Sequence, residues 1–141
     1  MTVYVRFIEQ GTCNVDSWGE ILDIGSGVSE SVFLYCFGGT GRYGLAHRVA
    51  SDVIVLAVAA PVLGDTVELR GVLYADGSVA LGQTINSGAE VLTAPSAALA
   101  LSPAWAAPTL YLGGPTLGAN DFQAALVAGG LRTLAEMRSA F

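Results

Sequence analysis

The sequence predicts an all-β protein, a two-layer antiparallel β-sandwich with a short C-terminal helix, and three observations lead there. Short runs rich in Val, Ile, Tyr and Phe recur along the chain, glycine occupies 18 positions between and beside them, and helix-like windows are few. Glycine accepts the positive φ of a tight reversal, so glycine clusters between short β-rich runs mark hairpin connections. Many short strands joined by turns make a sandwich. A length of 141 residues fits one domain, 1–141, large enough to bury a core. With 52% hydrophobic and 13% charged residues the composition excludes a disordered chain. So little charge leaves apolar surface to be covered by a partner, and an oligomer or an assembled particle is expected.

Taken in order, residues 2–9, TVYVRFIE, alternate Val3, Val5 and Phe7 with Tyr4, Arg6 and Ile8, the period of a strand. A polar loop over 11–17 leads to Trp18, which either anchors the core or offers a platform for stacking a sugar. A β-meander follows. Ile21, Leu22 and Ile24 precede Gly25-Ser26-Gly27, residues 32–37 precede Gly38-Gly39-Thr40-Gly41, and Tyr43, Leu45 and His47 come next. Residues 53–59, VIVLAVA, are apolar on both faces, which predicts a central strand covered on both sides. After a turn over 61–65, residues 66–74 alternate Val67 and Leu69 with Glu68 and Arg70, as a half-exposed strand would. Asp76-Gly77 is a hairpin turn leading into a strand over 79–85.

A loop at Asn86-Ser87-Gly88 precedes a short strand over 90–93. The stretch 95–108, PSAALALSPAWAAP, contains three prolines and many alanines, which disfavour helix and strand alike. It reads as a long loop crossing the sandwich face, with Trp105 in the core or at a contact surface. Residues 109–112 and 122–128 are the closing strands, separated by a loop over 113–121. Thr133 and Glu136 have capping-box spacing, so a short helix runs through Phe141 with Leu134, Met137 and Phe141 as its apolar stripe.

The chemistry-bearing residues are sparse. Net charge is −6, from twelve acids against six arginines without lysine, which argues against nucleic acid because phosphate binding needs a basic stripe. No export signal is legible and the longest apolar run, 53–63, is too short to span a bilayer, so synthesis in a cytoplasm without membrane insertion is expected. In that setting Cys13 and Cys36 are expected as free thiols, Cys36 serving as a small buried hydrophobe. Without CxxC spacing they and His47 do not form a metal motif. A glycosidase would need paired carboxylates, yet Glu20 and Asp23 stand three apart, on opposite faces of a regular strand, and Glu68 is alone. His47, in a strand, reads as a surface or strand-pairing residue, and Gly38–Gly41 lacks the lysine of a phosphate loop. No catalytic residues and no enzymatic activity are expected.

The segments ILDIGSG and VFLYCFGGTGRYGLAH resemble the early strands of concanavalin-like, laminin-G-like jelly-roll domains, especially the compact versions in phage virion proteins. Residues 69–81, LRGVLYADGSVAL, are similar to the central hairpin of that family, residues 109–114, TLYLGG, to a later strand, and 122–137 to its closing strand and helix. The resemblance implies a jelly roll acting as a non-enzymatic virion structural protein, a capsid decoration or tail accessory subunit. Its partners would be other virion proteins and itself, and it would be assembled in the host cytoplasm. In the family another strand usually precedes the first one here, so an uncovered sheet edge is expected at residues 2–9. No cofactor is expected, although such domains often bind calcium. Asp23, Asp76, Asn120 and Asp121 are the candidates, without EF-hand spacing. The alternative the resemblance offers is a lectin-like module recognising host-surface glycans through Trp18, Trp105 and Tyr111.

Overall fold

In the computed structural model the described residues are 1–10, 19–25, 30–37, 39–49, 51–100, 109–112 and 121–141, with backbone alone described at 109–112, 121 and 122. Strands β1 (Thr2–Ile8), β6 (Thr66–Leu73), β7 (Val79–Ile85), β8 (Val91–Leu92) and β10 (Asp121–Ala128) form one antiparallel sheet, ordered β10-β1-β6-β7-β8. Strands β2 (Gly19–Gly25), β3 (Ser31–Phe37), β4 (Arg42–Arg48), β5 (Asp52–Leu56) and β9 (Thr109–Leu112) form the other, ordered β5-β4-β3-β2-β9. The helix α1 (Leu134–Arg138) follows β10.

The predicted meander is β2-β3-β4, extended by β5. Period-two alternation decides what each strand buries. Val3, Val5 and Phe7 of β1 and Val67 and Leu69 of β6 share a core with Ile24, Val32, Leu34, Tyr43 and Leu45 of the second sheet. Phe7 and Tyr43 meet edge-on across the layers at 5.2 Å. Gly71 faces Val3 and Leu45 so closely that a Cβ would lie 2.6 Å from a Val3 methyl, so glycine sets the spacing of the layers there.

The turns follow their local chemistry. Gly77 takes φ +78 in the hairpin between β6 and β7, and its backbone N–H donates to the Tyr74 carbonyl. Asn86 and Ser87, between β7 and β8, adopt φ of 51 and 61. Asn86 holds that left-handed turn by accepting from Thr66 N–H at 2.9 Å and donating to Asp65 at 2.6 Å. At α1 the capping box is complete: the Thr133 hydroxyl accepts from Glu136 N–H, and the Glu136 carboxylate accepts from Thr133 N–H.

Several expectations are corrected. β1 is an interior strand flanked by β10 and β6, so residues 2–9 offer no open edge. The apolar strand β5 lies at a sheet margin, where Val53 and Val55 pack on the core and Ile54 stays 40% exposed. Of the loop expected over 95–108, residues 95–100 are without regular structure as expected but follow β7 and its turn, with Ser96 N–H donating to the Val79 carbonyl and Leu99 N–H to that of Asp76, while 101–108 lie outside the described residues. The helix ends at Arg138, and of its predicted stripe only Met137 is fully buried.

Candidate functional site

The outer face of the first sheet carries Tyr4 and Arg6 of β1 and Glu68 and Arg70 of β6, the positions left over once Val3, Val5, Val67 and Leu69 point inward. Sequence alternation makes Glu68 and Arg70 half-exposed, but both are buried, because the C-terminal segment crosses this face. The Thr2 hydroxyl donates to the Gly130 carbonyl and accepts from Arg132 N–H, each at 3.0 Å. Arg70 donates to Glu90 through Nε and Nη2 and to the Arg132 carbonyl through Nη1. Glu68 accepts from Tyr4 Oη at 2.6 Å and from Arg138 Nε at 2.9 Å, and Arg138 Nη2 reaches its second oxygen.

These bonds set the protonation states. The guanidinium of Arg138 and then the Tyr4 hydroxyl hold the Glu68 carboxyl below its ordinary range against the opposing effect of burial. Burial, with the Glu68 contact added, raises the Tyr4 phenol well above its usual value. Beside this network Tyr4, Arg6, Gln123, Ala124, Arg138 and Phe141 line an open surface pocket of about 230 Å³.

The outer face of the second sheet is aromatic. Phe33, Tyr35 and Phe37 lie along β3 with ring centroids 5.4 and 6.2 Å apart, and Tyr35 sits over Gly44, its register partner on β4. Arg48 lies 5.0 Å from the Phe33 ring centroid and forms a two-pronged pair with Asp52 at 2.8 and 3.0 Å. Tyr35 is pushed up to about 12 by burial, with Asp52 adding to the shift.

The same face corrects the reading of the two acids on β2. A register shift between Glu20 and Leu22 places Glu20 opposite Tyr35 and Asp23 opposite Phe33, so both belong to one face of the sheet. A bulge inserts one residue and inverts the alternation beyond it. Burial first, and Glu20 second, raise the Asp23 carboxyl above its ordinary range, with Arg48 only partly opposing them. One Asp23 oxygen is buried without a hydrogen-bond partner among the described residues.

His47 is not a surface residue. It is fully buried on the inner side of β4, where Nδ1 donates to the Gly77 carbonyl at 2.8 Å and Nε2 stands 3.7 Å from Glu30. The free-thiol expectation for Cys36 is also overturned, because Cys36 is disulfide-bonded. The chain's other cysteine, Cys13, lies outside the described residues.

Of the residues predicted to contact a partner or glycan, Trp18 and Trp105 lie outside the described residues. Tyr111 belongs by backbone to β9, in register with Asp23. Of the calcium candidates, Asp23 is in β2 and Asp76 in the β6–β7 turn, bonded to Ser78, while Asp121 opens β10 and Asn120 is outside the described residues. Among the described residues no group of three or more His, Cys, Asp or Glu is placed to hold a metal ion, and no helix is long and apolar enough to cross a membrane.

The third feature is an apolar margin. Because β7 touches β4 and β5 across the layers, the sheet edges formed by β5 and β8 lie on one flank. The connection from β5 to β6 is tied to β7 at its start, where Gln83 exchanges hydrogen bonds with the backbone of Ala59, and to the end of β1 further on, where Gly64 N–H donates to the Glu9 carbonyl. It lifts Val58, Val62 and Leu63 into solvent at 58%, 65% and 69% exposure, and Val91 and Leu92 of β8 are about half exposed. Comparison with protein-family models and with curated proteins finds no match to this chain.

Proposed function

We propose that this protein is a non-enzymatic assembly subunit with a jelly-roll sandwich, and in its most specific form a phage virion structural protein, a capsid decoration or tail accessory subunit. The observation that carries the reading is the β5–β8 flank. Two strand edges and the exposed side chains of Val58, next to Ala59 tied to β7, and of Val91 and Leu92 of β8 lie on it. Strand edges are templates for pairing with another chain, and apolar side chains gathered on one surface gain free energy when a neighbour removes them from water, at about 25 cal/mol per Å² before ordering is subtracted. The β-meander and the hairpin at Asp76-Gly77 support the jelly-roll part of the reading.

The test is sedimentation of the purified protein across a concentration series, alone and with intact particles. Defined oligomers or saturable particle binding are expected, and both should be lost in Val91→Asp, where the charge enters the exposed edge strand β8 and leaves the core untouched. A wild-type protein that stays monomeric at every concentration and binds no capsid or tail overturns the proposal.

A further inference from the structure

We infer that residues 129–141 form an exchangeable strap, which docks on the outer face of its own first sheet or on the same face of a second copy of this chain. The inference goes beyond the assembly reading and uses a surface other than the β5–β8 flank.

Few ties hold the strap. Within 129–141 only Met137 is fully buried and Leu134 is half-buried, while the other side chains are exposed. The remaining anchors are polar: Thr2 bonds to Gly130 and Arg132, Arg70 to the Arg132 carbonyl, and Glu68 to Arg138. A helix of five residues does not persist without packing. The segment therefore belongs to the part of the fold that opens first.

The face beneath it tolerates release. Thr2, Tyr4, Glu68 and Arg70 are buried there, and each carries a polar group that water can solvate. Val3, Val5, Val67 and Leu69 on the inner side of the same strands stay packed on the second sheet. Undocking thus returns mostly polar groups to water and leaves the core closed.

The hinge permits exchange. Gly129 and Gly130 join the strap to β10, both exposed, and a Cβ at either would meet nothing within 4 Å. A strap redirected there can remake each of its bonds on a neighbour, because every copy offers the same acceptors. Arg138 reaches both oxygens of Glu68, a two-pronged match that selects this segment as the occupant of the face. Closed and exchanged forms share these contacts and differ in the hinge and in the cost of association. Linkage favours the chain's own strap at low concentration and the neighbour's at high concentration.

The experiment exchanges the charges of one tie between two full-length variants, Glu68→Arg and Arg138→Glu, each also carrying Val91→Asp to remove flank assembly. Failure here is then separate from failure of the assembly reading. In either variant alone the strap faces a like charge, whereas in a reciprocal pair each strap meets its complement. Each alone should sediment as a monomer, with amide exchange over Leu134–Arg138 at least about tenfold faster than in the Val91→Asp parent. An equal mixture should form a 1:1 dimer with that exchange slowed again. A mixture of folded variants that stays monomeric overturns the inference. Arg6 lies in register with residue 68 and would repel the new arginine, so a second measurement uses chains carrying Val91→Asp alone. Labelled and unlabelled copies, unfolded and refolded together at high concentration, should show NOEs between Phe141 of one copy and Tyr4 of the other, rings that stand 6.1 Å apart. Tyr4–Phe141 contacts confined to one chain at every concentration overturn the inference as well.

Discussion

The two outer faces of the sandwich handle buried charge in opposite ways. On the first sheet Glu68 is matched by Tyr4 and Arg138, and Arg70 by Glu90 and the Arg132 carbonyl, so a polar surface is covered by a segment whose bonds satisfy it. On the second sheet Asp23 lies opposite Phe33 in a row of aromatic residues, keeps a buried oxygen unmatched among the described residues and stands near Glu20. Burial raises a carboxyl's pKa in both places, but at Glu68 specific donors outweigh it and at Asp23 they do not. The lesson is that similar burial stabilises or destabilises according to whether partners arrive with it.

The strongest way to break this contrast is Glu68→Ala. It leaves the Tyr4 hydroxyl and Arg138 without their acceptor, and chemical denaturation should show a loss of about 2–3 kcal/mol, less than a fully buried pair would cost because water screens the Arg138 end. Limited proteolysis should then cut the C-terminal segment first. The second sheet should respond to volume: in Gly44→Ala the new methyl would lie 2.7 Å from the Tyr35 ring, and overpacking of this kind costs about 1–3 kcal/mol. If Gly44→Ala is neutral, the aromatic face is looser than its burial implies.

A smaller effect sharpens the account of the covering segment. Thr133→Ala removes the hydroxyl half of the capping box and should cost about 1 kcal/mol, read as faster amide exchange over Leu134–Arg138 with exchange in β3 unaffected.

The smallest effect has the opposite sign. Asp23→Asn should raise the unfolding midpoint at neutral pH by less than about 1 kcal/mol equivalent, because Asp23 is only partly buried and partly screened. The linkage follows from the shift directions. Asp23 has a raised folded pKa, so its contribution is favourable below its unfolded value and is lost as pH rises through the folded one; the advantage of Asn should fade on acidification. Glu68 has a lowered folded pKa, so its contribution is present above its unfolded value and is lost as pH falls through the folded one. Wild type minus variant stability should therefore move in opposite directions with pH for Asp23→Asn and Glu68→Ala. Parallel pH curves would remove the comparison.

Much of the fold is legible in the residues because the signals are local. The alternation of Val3, Val5 and Phe7, the Asp76-Gly77 turn and the Thr133/Glu136 box each depend on a few neighbouring residues, and each appears as read. The candidate site was legible only in pieces. Tyr4 and Arg6 fall on the outer face by alternation, but their neighbours Arg138 and Phe141 come from the far end of the chain, and no spacing rule connects them. The two acids on β2 were misplaced because three-residue spacing assigns faces only while the register is regular.

The sequence by itself determined the all-β class, the order of the strands along the chain and, among the described residues, the turns at Asp76-Gly77 and Asn86-Ser87, since period and turn chemistry act over a few residues; the expected turns at 11–17, Gly25-Ser26-Gly27 and 113–121 lie largely outside the described residues. Tertiary structure decided which strands became edges, which acid found a cation, and that His47 and Glu68 left water. Those outcomes depend on which distant segment arrives to cover each face, and that is settled by pairing and packing between residues far apart in the chain.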